Sequence, residues 1–235
     1  AASKTGLFAK SGVAADAVNV PGGWNNDTFV PFDYGYFAFV YDKNKLKNPP
    51  QSLKELVESD QNWRVIYQDP PGLGLLLWMQ KVYGDDAPQA WQKLAKKTVT
   101  VTKGWSEAYG LFLKGESDLV LSYTTSPAYH ILEEKKDNYA TANFSEGHYL
   151  QVEVAARTAA SKQPELAQKF LQFMVSPAFQ NAIPTGNWMY PVANVTLPAG
   201  FEQLTKPATT LEFTPAEVAA QRQAWISEWQ RAVSR

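Results

Sequence analysis

Two tyrosines stand on either side of a short run of hydroxyl side chains in "LVLSYTTSPAYHILEE", residues 119 to 134. The run and its flanks contain Tyr123, Thr124, Thr125, Ser126 and Tyr129. Hydroxyl and backbone N–H groups at such a turn bind polar or anionic parts of a ligand, and aromatic rings bind flat or cationic parts. The alternative interpretation is a capped connection between a strand and a helix, with no ligand at all.

Two tryptophans lie beside residues that favour loops and helix starts. Trp105 follows a glycine in "KGWSEAYG", and Trp188 lies between a glycine and a proline in "GNWMYP". An exposed indole at either position offers a face for stacking, worth about 1 to 3 kcal/mol for a flat or cationic ring. The competing interpretation is that each ring folds back onto the hydrophobic core.

Composition makes catalysis, metal binding and nucleic-acid binding poor explanations of these aromatic residues. The chain has no cysteine, only His130 and His148, and a formal net charge of -1. It contains no G-x-S-x-G, P-loop, G-x-G-x-x-G or H-E-x-x-H motif. We therefore expect no catalytic residue, no metal site, no cofactor and no nucleic-acid partner.

Strands and helices alternate along residues 63 to 136, which predicts a mostly parallel sheet with crossover helices. In such sheets ligands bind beyond the carboxyl ends of the strands. Tyr123 ends a predicted strand, and Ser126 is the predicted N-cap of the next helix. The two tyrosines are therefore expected to face one crevice.

Other segments predict the remaining elements. The aromatic stretch from Thr28 to about Tyr41 predicts one long strand or a pair of strands, with a break at Gly35. The segment "HYLQVEVAART" predicts a strand of another sheet. Two helices separated at Ser176-Pro177 follow. A tail helix from Pro215 to Arg231 is predicted with Thr214 as its cap.

Two further helix boundaries are predicted from local signals. Ser52, with Glu55 three residues later, predicts the N-cap of a helix, and Gly84 predicts the end of the apolar helix before it.

Four segments, "VPFDYGYFAFVYDKNKL", "WRVIYQDP", "LVLSYTTSPAYH" and "PTGNWMYPV", together resemble type II periplasmic solute-binding proteins of ABC importers, especially members that carry thiamine. The resemblance covers the whole chain. It implies a two-lobed α/β fold in which helices flank mixed sheets and hinge strands join the lobes near residues 37–41 and 150–154. Lobe 1 would be residues 1–36 and 150–235, incomplete at its N-terminus, and lobe 2 would be residues 37–149.

The resemblance also implies what the protein binds and where. The ligand would be thiamine, thiamine monophosphate or thiamine diphosphate, held on aromatic side chains between the lobes. A monomer in the periplasm would deliver it to the permease of an ABC importer. Carried onto matching positions, the ligand-binding residues are Trp105, Tyr123, Thr124, Thr125, Ser126, Tyr129 and Trp188.

Two departures from the family pattern bear on this expectation. Members begin with a strand, a helix and an acidic-glycine segment, and we expect this sequence to start after that segment. Members also have Asp-Pro-Arg and several Ser or Thr residues where Asp69-Pro70 here runs directly into Pro71-Gly72, which weakens the expectation of phosphate recognition. The alternatives are a binding protein for iron, a polyamine or a phosphorylated sugar, and a carbohydrate-active enzyme that stacks sugars on its aromatic residues.

Overall fold

The computed structural model describes residues 2–68 and 73–234, and the chain divides into two units. Unit 1 comprises Ala1–Gly35 and Gln151–Glu202, and unit 2 comprises Tyr36–Leu150 and Gln203–Arg235. The chain passes between the units within two long strands and again after Glu202.

The elements are numbered here in chain order over the described residues. The strands are β1 Phe8–Ala9, β2 Val30–Asp42, β3 Val65–Gln68, β4 Thr98–Thr102, β5 Leu119–Tyr123, β6 Tyr139–Thr141, β7 His148–Ala155, β8 Arg157–Thr158, β9 Tyr190–Pro191 and β10 Thr210–Leu211. The α-helices are α1 Leu53–Glu58, α2 Gly74–Tyr83, α3 Ala87–Ala95, α4 Trp105–Leu113, α5 Ser126–Glu134, α6 Pro164–Met174, α7 Pro177–Gln180, α8 Ile183–Gly186 and α9 Pro215–Val233.

Unit 2 is built on a mixed sheet, as the sequence predicts. Strand β3 pairs in parallel with β4 and β5, and β2 pairs antiparallel with β5 and β6. Helices α2 and α3 connect β3 to β4, and α4 connects β4 to β5. Because β3, β4 and β5 run in the same direction, their carboxyl ends meet at one edge of the sheet.

Several predicted helix boundaries are confirmed. The Ser52 hydroxyl accepts a hydrogen bond from the Glu55 N–H at 2.9 Å and caps α1, and Thr214 caps α9 through the Glu217 N–H at 3.2 Å. Helix α2 ends at Gly84, whose φ of 56° suits a residue without a side chain. The break between α6 and α7 falls at Ser176-Pro177 as predicted.

The predicted break of the aromatic strand at Gly35 is wrong. Strand β2 continues without interruption from Val30 to Asp42. Residues before the glycine pair with β9 in unit 1, and residues after it pair with β5 and β6 in unit 2. The hydrogen-bonded neighbours on both sides hold the backbone extended and offset the conformational freedom of one glycine.

The core of unit 2 surrounds Trp78, whose side chain is fully buried. Its indole N–H donates to the Gly147 carbonyl at 3.2 Å. Its ring lies 6.0 Å from Phe39, 5.4 Å from Phe144 and 5.2 Å from His148, measured between ring centroids. This aromatic cluster joins α2 to the strands and loops beneath it.

His148 is buried in this cluster as a neutral side chain. Its Nε2 accepts the Phe144 N–H at 3.0 Å, so Nδ1 carries the proton and donates to the Phe37 carbonyl at 2.8 Å. Burial lowers the pKa of His148 below its ordinary value. The folded protein therefore resists protonation of this ring.

We expect acid to destabilise the protein through His148. The unfolded chain binds a proton at this histidine below about pH 6.5, whereas the folded chain does so only at lower pH, so the free energy of unfolding falls as the pH falls through this window. Urea unfolding at about pH 7.5 and 5.5 should show a pH-dependent loss about 1 kcal/mol smaller in His148→Gln than in the unaltered protein. Equal losses in both proteins would contradict this account.

The C-terminal residues 203–235, which we predicted in lobe 1, belong to unit 2 in the structure. Helix α9 packs against α2 and α3. It buries Trp225 and Trp229, one turn apart, and the Trp229 indole N–H donates to the Tyr67 hydroxyl at 3.2 Å. The spacing of these tryptophans identifies a buried helix face, but it does not say which core receives that face.

Unit 1 has a smaller core made from Val30, Leu171 and Met174. Within it the buried Gln180 side chain connects three segments. Its amide N–H groups donate to the carbonyls of Phe32 and Met174, and its carbonyl accepts the Val192 N–H at 2.6 Å. Strands β1 and β8 pair separately in an antiparallel ribbon.

Candidate functional site

The turn between β5 and α5 lies at the carboxyl edge of the unit 2 sheet. Its hydroxyl groups do not make the predicted capping bond. Helix α5 begins at Ser126 with Thr125 as its N-cap, and the Thr125 side chain makes no capping bond. The Ser126 hydroxyl lies 2.6 Å from the Ser122 hydroxyl and accepts the Tyr123 N–H at 3.3 Å. The prediction that Ser126 is the N-cap is therefore wrong. Thr125 occupies that position, and the Ser126 hydroxyl is hydrogen-bonded to Ser122 in the preceding strand.

Trp105 is held at the start of α4 with much of its indole open to solvent. The side chain is 45% exposed, and its N–H donates to the Ser122 hydroxyl at 2.7 Å. One face stacks on Tyr109, with a centroid separation of 5.1 Å and an interplanar angle of 27°. The ring is thus fixed by its edge and by one face before any ligand arrives.

Tyr129 is the second exposed ring of unit 2. It lies on the first turn of α5, is 41% exposed, and meets the ring of His130 edge-on at 5.3 Å. Trp105 and Tyr129 are therefore the two predicted aromatic residues of unit 2 that present substantial ring surface to solvent.

A chain of polar side chains, buried at Tyr109 and His130 and exposed at Glu134, lies next to these two rings. The His130 Nε2 atom lies 2.8 Å from the Tyr109 hydroxyl, and its Nδ1 atom is hydrogen-bonded to the Glu134 carboxylate. That hydrogen bond holds the pKa of Glu134 below its ordinary value, so Glu134 is an acceptor and Nδ1–H is the donor. The chain fixes Tyr109, on which Trp105 stacks.

The other predicted residues of this turn are more enclosed. Thr124 and Thr125 are fully buried, and the Thr124 N–H donates to the Tyr36 carbonyl at 2.9 Å, so that N–H is already used within the sheet. The Thr124 hydroxyl is buried without a hydrogen-bond partner among the described residues. The ring of Tyr123 is half-buried and packs on Phe37 at 5.0 Å.

Our sequence analysis missed two polar residues at this edge, Ser122 and Gln68. Ser122 links Trp105 to Ser126, and the buried Gln68 side chain at the end of β3 donates to the Leu121 carbonyl at 3.3 Å. The available signal was a polar residue at the end of an apolar strand, in "LVLS" and "VIYQ". The sequence departure at Pro70-Pro71, just after Gln68, lies outside the described residues.

Trp188 belongs to unit 1. It follows α8 and its C-cap Asn187, and it is half-buried with a backbone φ of 54°. A helix commonly places glycine at this left-handed position, and a residue with a large side chain is strained there by about 1 to 2 kcal/mol. Such strain persists where the surrounding structure imposes it, and it concentrates at functional sites.

A pair of tyrosines lies on the neighbouring strands of unit 1. Tyr34 of β2 is opposite Tyr190 of β9, and their rings stack at 5.4 Å with an interplanar angle of 26°. Both side chains are half-buried. Alternation along an aromatic strand gave no signal that distinguished this pair from core residues.

Two properties of the described residues bear on the class of site. Residues 2–68 and 73–234 contain no group of three or more His, Asp or Glu side chains placed to hold a metal ion. In the same residues, every helix is too short or too polar to cross a membrane.

Comparison with known proteins gives a consistent family. A family model described as bacterial extracellular solute-binding protein matches residues 1–181. A curated relative from Escherichia coli (strain K12), the thiamine-binding periplasmic protein, is 98% identical over 239 residues, which cover 100% of this chain and 73% of that protein.

Solved structures share the fold. A structure titled periplasmic thiamin binding protein has 97% sequence identity and a TM-score of 0.98, covering 100% of this chain and 75% of that chain. Iron-bound HitA from Pseudomonas aeruginosa has a TM-score of 0.78 at 21% identity, covering 98% of this chain and 78% of that chain. At that identity the second likeness concerns the fold alone.

Proposed function

This chain belongs to the bacterial extracellular solute-binding protein family, and we propose that it binds thiamine on Trp105 and Tyr129 as the solute-binding component of an ABC importer. The near-identity to a protein named for thiamine binding supports the choice of ligand. The observation that carries the proposal is the exposed indole of Trp105, anchored at its N–H and on one face.

The chemistry of thiamine suits this arrangement. Thiamine joins a cationic thiazolium to a flat aminopyrimidine, and both rings gain by contact with the face of an indole or a phenol. Because Trp105 is already ordered by Ser122 and Tyr109, binding loses little side-chain entropy. We propose Trp188 as a further ligand contact from unit 1, on the strength of its strained backbone.

We propose that thiamine monophosphate and diphosphate also bind, with their phosphates near the starts of α4 and α5. The first turns of two nine-residue helices begin at this sheet edge, and helix N-termini favour anions. We assign this role to the Ser126 hydroxyl and to the Thr124 hydroxyl, which has no hydrogen-bond partner in residues 2–68 and 73–234. Tyr123 and Thr125 complete the proposed set as supporting residues of the turn.

We further propose that the protein is not an enzyme and that it acts as a monomer in the periplasm. Its partner would be the membrane permease of the importer, and its only ligand would be the solute it carries. We propose units 1 and 2 as the two lobes of the family fold, with residues 203–235 in the second lobe. The periplasmic name of the close relative supports the compartment.

Calorimetric titration tests the function directly. We expect one site per chain for thiamine, with its monophosphate and diphosphate also bound, and much weaker binding of the separate pyrimidine and thiazole halves. The N-methylated thiazolium half should bind better than the neutral thiazole if the cation contacts an aromatic face. Absence of thiamine binding, or preferential binding of ferric iron, a polyamine or a phosphorylated sugar, would refute the proposal.

A further inference from the structure

Three polar side chains from distant parts of the sequence meet in unit 1. They are Asp33 of β2, Glu153 of β7 and Asn187 after α8. The Asn187 side-chain amide donates to the Asp33 Oδ2 atom at 2.6 Å and to the Glu153 Oε1 atom at 3.1 Å. One neutral amide therefore bridges two carboxyl groups.

The two carboxyl groups cannot both be charged without cost. Asp33 is fully buried, and its Oδ1 atom has no hydrogen-bond partner within the described residues. Burial, the charge of Glu153 and a hydrogen bond with Glu153 together raise the pKa of Asp33 to about 8, although the hydrogen bond from Asn187 lowers it. Asp33 therefore carries a proton at neutral pH.

The groups that face Asp33 come from β7, β9 and the segment after α8. Glu153, half-buried on β7, is the acidic side chain whose charge acts on Asp33. On β9, Pro191 lies opposite Asp33 in the register and Tyr190 lies opposite the next residue of β2. From the helical side the contact is the neutral amide of Asn187.

The bridge ends one residue before the strained tryptophan. Asn187 is held twice, through its side chain by the carboxyl pair and through its backbone N–H by the Ile183 carbonyl at 2.9 Å. Trp188 follows directly, with its left-handed φ of 54°. A residue fixed at both its backbone and its side chain is what keeps such a conformation in place.

We propose that Asp33 and Glu153 share one proton and, through Asn187, act as positioning residues for Trp188, so that loss of the proton loosens the indole. A second carboxylate charge would repel the first, and the bridging amide could no longer satisfy both groups at their present distances. Trp188 would then relax toward an unstrained backbone. The consequence for thiamine rests on the function proposed above, whereas the coupling of the carboxyl pair to Trp188 does not.

A pH titration followed by NMR tests the coupling without any ligand. The indole N–H resonance of Trp188, assigned by its loss in Trp188→Phe, should move between about pH 6 and 8.8 with a midpoint near that of the Asp33 carboxyl carbon. Asp33→Asn keeps an acceptor for Asn187 and supplies a donor to Glu153. The Trp188 indole resonance of this variant should therefore not change with pH. Asp16→Asn changes an exposed aspartate of the same unit. In this variant the Trp188 indole resonance should move with pH as it does in the unaltered protein.

Glu153→Gln and Asn187→Ala test the other two members of the bridged pair. Glu153→Gln removes the neighbouring charge and should lower the midpoint of the titration. Asn187→Ala removes the bridge and should give, at every pH, the indole resonance that the unaltered protein shows at alkaline pH. A Trp188 resonance that is constant with pH in the unaltered protein, or that moves equally in Asp33→Asn, would overturn the proposal.

Thiamine affinity provides the second readout. We expect the dissociation constant to rise about fivefold from pH 6.5 to 8.8 in the unaltered protein and in Asp16→Asn, and to stay constant in Asp33→Asn. A moving resonance with a constant affinity would overturn the link between the pair and the ligand. A protein that binds no thiamine but shows the moving resonance would refute the proposed function and leave the coupling standing.

Discussion

Trp105→Ala is expected to weaken thiamine binding by about 1 to 3 kcal/mol, which is roughly a 5- to 150-fold rise in the dissociation constant. The indole is 45% exposed, and its stacking on Tyr109 and its bond to Ser122 fix its orientation before binding. The alanine substitution removes the indole face that would contact thiamine, together with the orientation that Tyr109 and Ser122 give it. The fold should survive, because the exposed ring contributes little to the core.

Calorimetry with two companion variants separates stacking from other effects. Trp105→Phe keeps an aromatic face but loses the N–H that bonds Ser122, so its affinity should fall between those of the unaltered protein and the alanine variant. Leu113→Ala changes an exposed side chain of similar exposure on the same helix and should leave binding unchanged. If Trp105→Ala binds thiamine as tightly as Leu113→Ala, the indole is not a ligand contact.

Trp78→Ala is expected to lower the free energy of unfolding by about 3 to 5 kcal/mol, the range found when large buried aromatic residues are truncated. The ring is fully buried among Phe39, Phe144 and His148. Its removal would leave a cavity in the core of unit 2. The Gly147 carbonyl would also lose the indole donor that now lies 3.2 Å away.

Urea unfolding monitored by circular dichroism measures this loss. Trp78→Phe keeps most of the buried surface but loses the hydrogen bond, so its loss should be clearly smaller than that of the alanine variant. Val99→Ala removes methyl groups from an exposed position of the same unit and should change stability by less than about 0.5 kcal/mol. A Trp78→Ala protein as stable as Val99→Ala would show that the aromatic cluster is not a major source of stability.

The sequence by itself determined the local elements and the family. Alternation of strands and helices predicted the parallel part of the unit 2 sheet, and capping residues such as Ser52 and Thr214 marked the starts of helices correctly. The family match and the near-identical solved structure confirm the resemblance and the fold class. These features are readable because they depend on residues that are close together in the chain.

The rule that ligands bind beyond the carboxyl ends of parallel strands also selected useful residues. It placed Tyr123 and Tyr129 at one edge of the sheet, and the structure leaves the Tyr129 ring exposed there. Trp105, whose ring is also exposed, was selected instead by the glycine that precedes it. It did not foresee that Thr124 would be fully buried or that the Ser126 hydroxyl would bond back to Ser122. Propensity identifies a turn, but the packing around the turn decides where each hydroxyl points.

Only the tertiary structure decided which distant residues meet. The buried face of α9 was readable, yet its place in unit 2 depends on a bond from Trp229 to Tyr67 and on packing against α2 and α3. Likewise, Asp33 and Glu153 form a pair bridged by Asn187 only because three distant segments converge. Periodicity states which side of an element is buried, whereas the partner on that side is fixed by the shape and volume of the whole core.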